Sequence, residues 1–175
     1  MINLNVYRLG PDVKLPTYKT PLSACFDLFY CPTTNHITGY DKHNAQFERE
    51  LLFGKTTYIN PGDRMLMPTG IVMKLRECHS VETFADITRE KEELRQFSVR
   101  LHSNSDLALR CGIMLANTEG IIDVDFQQQI YVLLHNISET VQVISPNTKI
   151  AQGEVLVNEL VQIIELNDMP LQYKA

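Results

Sequence analysis

A chain of 175 residues is long enough for one domain with a real hydrophobic core. Its 44% hydrophobic and 21% charged residues are a globular rather than a disordered composition. A formal net charge of −5 argues against direct nucleic-acid binding, which calls for a basic face. It leaves room for a small anion held by local donors. No apolar run approaches the ~20 residues of a membrane helix. The N-terminal MINLNVYRLG lacks the basic-then-apolar order of a signal peptide. A soluble, intracellular protein with no membrane partner is expected. Cys25, Cys31, Cys78 and Cys111 show no C-x2-C spacing and read as small buried or half-buried hydrophobes in a reducing compartment.

In chain order, Asn3 to Leu9 alternates as a first strand, and Gly10-Pro11-Asp12 turns. Leu15 to Leu28 reads as an extended loop feeding a strand. Cys31 to Lys55 is polar and reads as a solvated loop, with His36 and His43 too isolated for a metal pair. Tyr58-Ile59 ends a strand before the Pro61-Gly62 turn. Arg64 to Leu75 reads as a strand pair around Pro68-Thr69-Gly70, with Met65, Met67 and Met73 as core filler. The charged run Ile87 to Phe97 has helical spacing of Phe84, Ile87, Leu94 and Phe97, with Asp86 or Thr88 as cap, and predicts a short surface helix. Phe97 to Leu101 predicts a strand. Ser103 to Gly112 predicts a short helix with Ser/Asn caps and a glycine stop.

Gly112 to Ile130 is the most informative stretch. Two strand-like runs flank the polar turn Asn117-Thr118-Glu119-Gly120, which reads as a β-hairpin. Asp123 stands inside the β-branched run, where a carboxylate must be satisfied or put to use. Strands are then expected at Ile130–Leu134, Val141–Ile144, Lys149–Val157 and Val161–Leu166. Many short strands with little helix predict an all-β sandwich, jelly roll or barrel, as one domain over 1–175 with no internal repeat.

Separated segments resemble the motifs of the dUTPase family, in family order. Leu15-Pro16, Tyr18, Thr20, Ser23-Ala24 and Asp27-Leu28 resemble the first motif. Pro61-Gly62-Asp63-Arg64 and Pro68-Thr69-Gly70-Ile71 resemble the segment after it. Ser105, Leu107-Ala108, Arg110 and Gly112-Ile113 resemble the second motif. Asn117, Gly120, Ile122-Asp123 and Asp125-Phe126 resemble the third, and Ile150-Ala151-Gln152 the fourth. The match spans the chain to about Val157, with insertions around 33–57 and 77–97.

The resemblance implies a distorted jelly-roll or β-barrel subunit with one or two short helices. It implies a homotrimer with active sites between subunits, and hydrolysis of dUTP to the monophosphate and pyrophosphate. Asp123 then takes the position of the water-activating base; taken alone it reads as a strand-end Asp capping a turn. Asn117 matches the residue facing the pyrimidine edge, where hairpin backbone donors suit uracil, and Gly120 and Ile122 belong to the same substrate-binding motif. Phe126 matches the aromatic beneath the deoxyribose, or is plain core. Ser105 and Asn104, at a helix start, fall where phosphates are cradled. Gln152 matches the donor to phosphate or base. Asp27 matches the aspartate that organises metal-bound waters, with Mg2+ riding mainly on the triphosphate.

The sequence departs from the family at Asn104 (usually Arg), Asp106 (Ser or Gly), Cys25 (Gly), Gln128 (Gly) and Lys149 (Arg). No glycine-rich fifth motif follows Gly153. Arg89, Lys91 and Arg95 are candidate substitutes for phosphate contacts. Three readings follow: an active dUTP diphosphatase with a rearranged phosphate site, a catalytically impaired nucleotide-binding or protein-interaction module on the same fold, and a dCTP deaminase. The last is disfavoured because Ile130 to Asn136 has no acid where that enzyme needs a catalytic Glu.

Overall fold

Short runs of β-branched and aromatic residues alternating with polar ones build fourteen strands among the described residues, β1 (Ile2–Arg8) to β14 (Lys149–Asn158), and one α-helix. The structure is a computed structural model and describes residues 2–77, 96–159 and 161–165. The predicted helix at Ile87–Phe97, with its caps and Arg89, Lys91 and Arg95, lies essentially outside the described residues, as do Cys78, most of the 77–97 insertion and Leu166.

All strand pairs are antiparallel. In one five-stranded sheet β10 (Ile113–Leu115), β12 (Tyr131–Asn136), β7 (Arg64–Pro68), β4 (His36–Tyr40) and β5 (Gln46–Glu50) lie in that order. In the other, β11 (Gly120–Asp123), β9 (Gln96–Ser103), β14, β3 (Phe26–Phe29) and β2 (Thr17–Tyr18) lie side by side. Two ribbons complete the fold: β1 with β8 (Ile71–Glu77), and β6 (Thr57–Ile59) with β13 (Gln142–Ile144). Alternation sends one set of side chains from each strand inward. Phe97, Val99 and Leu101 of β9, Met65 and Met67 of β7, and Val132 and Leu134 of β12 are all buried in one core. The three methionines named as core filler are there, Met73 included.

Four expectations are corrected. The loop expected over 31–55 contains the β4–β5 hairpin and a short 3-10 turn, Phe53–Lys55. Its polarity misleads because only Ile37 and Gly39 of β4 are buried, and β5 alternates between exposed and half-buried. The run Arg64 to Leu75 forms two strands, but they do not pair: β7 joins β12 while β8 joins β1. Between them Thr69 donates both its backbone N–H and its hydroxyl to the carbonyl of Ile130 (3.1 and 2.7 Å). Gly70 adopts φ +69°, where a Cβ would meet the Cys31 carbonyl at 2.9 Å. The hairpin expected at 112–130 is likewise absent, since β10 pairs with β12 and β11 with β9. Finally, residues 161–165 form no strand; Val161 and Ile163 are exposed and no partner strand lies beside them among the described residues.

Asn136 ties several of these pieces together. Its buried amide donates to the carbonyls of Ile59 and Thr140 (both 2.8 Å) and accepts from the backbone N–H and hydroxyl of Ser138 (2.9 and 2.7 Å). Its backbone carbonyl accepts from Gly62, and its N–H donates to Asp63. Every polar atom of this buried side chain is therefore spoken for. Asn136→Ala is expected to destabilise the fold by about 3 kcal/mol, the order of one or two buried groups left unpaired. The check is a lower urea midpoint at unchanged m-value.

Candidate active site

The outer face of the β11-β9-β14-β3 sheet carries three of the polar side chains that the motifs single out, Asp27, Asp123 and Gln152. On β9, Phe97, Val99 and Leu101 point to the core, so Ser98, Arg100 and His102 point away from it. Register then fixes their neighbours. His102 lies opposite Gln152, and Gln152 lies opposite Asp27. Ser98 lies opposite Asp123 on one side and Leu156 on the other.

Asp27 is only 4% exposed, although its strand neighbours Phe26 and Leu28 are the ones in the core. Lys149 closes over it, with Nζ 2.5 Å from Oδ2, and the Gln152 amide donates to Oδ1 at 3.4 Å. Both carboxylate oxygens thus have protein partners. The carboxylate is satisfied without a metal, so its fit to a magnesium ligand is poor.

The second-motif helix α1 (Ser105–Cys111) follows β9 directly, at the same end of the sheet, where Ser103 pairs with Ala151. Asn104 is its N-cap: extended backbone, with the side-chain carbonyl accepting from the Leu107 N–H at 3.1 Å. Gly112 ends the helix in the left-handed region at φ +64°, donating to the Leu107 carbonyl. The helix is the one expected from its caps. The cap also commits the Asn104 side chain, which is buried, to the protein backbone. Ser105 is exposed. Asp106 is exposed and stands 3.7 Å from Arg110, one turn on.

The third motif sits at the sheet edge. After β10 the chain turns through Asn117, which is exposed, and Thr118 at φ +57°. It enters β11 at Gly120, which is buried because a Cβ there would press on Leu101 at 3.0 Å. Ile122 is half-buried and packs on the core. Asp123 ends the strand, exposed, and its carbonyl accepts from the Phe126 N–H at 3.1 Å, closing a tight turn through Val124 and Asp125. Phe126 is 37% exposed, so it is not core within this chain. Asp123 makes no side-chain hydrogen bond or ion pair among the described residues.

The structure therefore brings the predicted residues together in two groups. Asp27, Gln152, Asn104 and Ser105 share one end of the sheet; Asp123 and Phe126 share a turn at the other. The residues opposite Gln152 and Asp123 on β9, His102 and Ser98, are four apart, roughly 13 Å at about 3.3 Å per residue. Asn117 lies before the start of β11 and Asp123 at its end.

Several side chains on this face went unread in the sequence. The His102 ring stands 3.0 Å from Glu154 and 4.0 Å from Glu119, and Arg100 pairs with Glu119 at 3.1 Å. The alternation Ser98, Arg100, His102 against Phe97, Val99, Leu101 was the available signal for them. Cys25, half-buried, lies beside His102 and Glu154. Burial pushes its thiol pKa up, and the nearby charge of Glu154 pushes it the same way.

No family model matches the chain. A deoxyuridine 5'-triphosphate nucleotidohydrolase of Chlamydia caviae is 33% identical over 95 residues, 54% of this chain and 52% of that protein. The chain thus spans about half the length of that relative. The same-named protein of Anaplasma marginale is 26% identical over 171 residues, 97% of this chain and 90% of the relative. Among solved structures, the dUTPase of Staphylococcus bacteriophage 80alpha superposes with a TM-score of 0.65 over 96% of this chain and 98% of that one, at 12% identity, a likeness of fold.

The geometry of α1 carries a prediction. Asn104→Ala is expected to cost about 1 kcal/mol of stability, and Asn104→Ser to restore most of it, as measured by chemical denaturation. An unchanged stability in Asn104→Ala would contradict the capping role.

Proposed function

We propose that this divergent member of the dUTPase family hydrolyses dUTP to the monophosphate and pyrophosphate. The observation that carries the reading is the third-motif turn, closed by the Phe126 N–H on the Asp123 carbonyl, which leaves Asp123 exposed at the end of a strand fixed by the β9 ladder. A general base needs such a position, within hydrogen-bond reach of a water and not consumed by a protein partner. Phe126 offers a flat apolar surface on which a deoxyribose packs, leaving no space for a 2′-hydroxyl. Asn117 and the backbone around Gly120 read the uracil edge, since fixed donors and acceptors leave a cytosine amino group mispaired.

A homotrimer completes the site. Within one chain Asp123 is far along the sheet from Gln152 and Ser105. Around Asp123 the apolar side chains of Ile121, Val124 and Phe126 are 53%, 40% and 37% exposed. A second copy packed on this edge covers that apolar rim and brings its own Gln152, Ser105 and helix start toward the nucleotide. Magnesium, bound to the triphosphate with several waters, supplies charge neutralisation there. Asp27 acts as the fixed counter-ion of Lys149 rather than as a ligand.

One arrangement favours a second reading, an impaired binding module. The Asn104 side chain is spent on its helix, and Asp106 places a negative charge where phosphates would be cradled. One assay separates the two. With Mg2+, the protein is expected to release pyrophosphate from dUTP faster than from dCTP, dTTP or UTP, and Asp123→Asn to lower the rate by roughly 10²–10⁴-fold. Nucleotide binding with no turnover of any of the four would leave the binding module.

A further inference from the structure

Next to the nucleotide residues, the outer face of the β9–β14–β3 sheet holds a cluster that the hydrolytic chemistry does not use. Cys25 lies in the bend just before β3, Glu154 on β14 and His102 on β9, and these three strands are adjacent. One ligand atom from each lies within 4.8 Å of the other two, and His102 Nε2 is 3.0 Å from Glu154 Oε1. From these positions we infer that Cys25, His102 and Glu154 form a binding site for a divalent transition-metal ion of the zinc class.

The ligand set suits that ion. Zinc takes thiolate, imidazole and carboxylate in tetrahedral geometry at about 2.0–2.3 Å, which sets ligand atoms roughly 3.3–3.6 Å apart. The cluster needs only small side-chain adjustments to reach that spacing. A mixed S, N, O set disfavours magnesium and calcium, which take oxygen ligands. Three protein ligands leave a fourth position for water.

The surroundings fit as well. The other ring nitrogen of His102, Nδ1, faces Glu119 Oε1 at 4.0 Å. At that separation Glu119 is an electrostatic neighbour rather than a hydrogen-bond partner, and its charge favours a proton on Nδ1, which leaves Nε2 to the metal. Arg100, also on β9, is engaged elsewhere: its Nε donates to the Ser98 hydroxyl at 3.1 Å and its Nη1 pairs with Glu119. Binding exchanges the Cys25 S–H proton, released to solvent, for an S–metal bond, and moves the neutral imidazole proton to Nδ1. The ion then cross-links β3, β14 and β9.

The test uses the full chain, stripped with a chelator and dialysed against micromolar zinc with no nucleotide present, so its result is independent of hydrolysis. One zinc per chain is expected, with a raised melting temperature. Cys25→Ser and His102→Ala are expected to weaken binding more than tenfold, Glu119→Gln roughly tenfold, and Cys111→Ser to leave it unchanged. Cobalt substitution reads the ligand directly: a thiolate-to-cobalt charge-transfer band is expected in the near ultraviolet and is lost in Cys25→Ser. No zinc retained at micromolar concentration, equal retention by Cys25→Ser, or a cobalt spectrum without the thiolate band would each overturn the site. Far-UV circular dichroism of each variant separates loss of ligand from loss of fold.

Discussion

Between Leu115 and Gly120 the chain must leave one five-stranded sheet and join the other, and the whole candidate site hangs on how it does so. The backbone groups exposed by such a crossing need partners. Here the Ala116 N–H donates to Leu133, Thr118 takes the left-handed conformation, and the Thr118 hydroxyl closes on the Asn117 carbonyl at 2.6 Å. Gly120 then lets β11 lie tight against Leu101 of β9. Because β11 is locked to β9 from Gly120 to Asp123, the position of Asp123 is set by sheet register rather than by a free loop.

The same register divides the labour along one sheet face. At one end a buried acid and a lysine neutralise each other, and a capped helix begins. At the other, an acid stands open on a turn. Between them runs a band of alternating charge: Glu119 with Arg100 and His102 with Glu154. The exposed pairs in this band contribute little to stability. Their effect is positional, since each long side chain is held over a particular strand. The apolar rim at the β11 edge is the opposite case, surface that one chain leaves in water and a copy of itself can cover.

How much of this the sequence revealed depended on whether the signal was local. The α1 helix was legible because its start and stop are written within ten residues, in Asn104 and Gly112. The resemblance itself was legible because the spacing within each motif is short and specific. Pairing was not. Period-two alternation marks Ile113–Leu115 and Gly120–Asp123 as strands but says nothing of their partners, and so both were assigned to one hairpin when each belongs to a different sheet. The β4–β5 hairpin was hidden by its polarity, because only one strand has a face that is truly buried. Asp27 was placed in the site by its motif, yet its actual partners, Lys149 and Gln152, lie more than a hundred residues away and carry no local mark.

That separation bears on how the chain comes to be folded at all. β14 is the central strand of its sheet, inserted between β9 and β3, and its Gln152 meets Asp27 across 125 positions of sequence. On the ribosome, β3 and β9 are made first and cannot pair with each other in the native order. Until β14 emerges, each presents an open edge of unpaired N–H and C=O groups to neighbouring nascent chains. Long-range closure of this kind is slow. Docking β14 one residue out of register would turn Gln152 and Glu154 inward in place of Ala151 and Gly153. The late arrival of one central strand thus sets the vulnerable interval in this protein's biogenesis, for until Lys149–Asn158 has been made β3 and β9 are both open to misassembly.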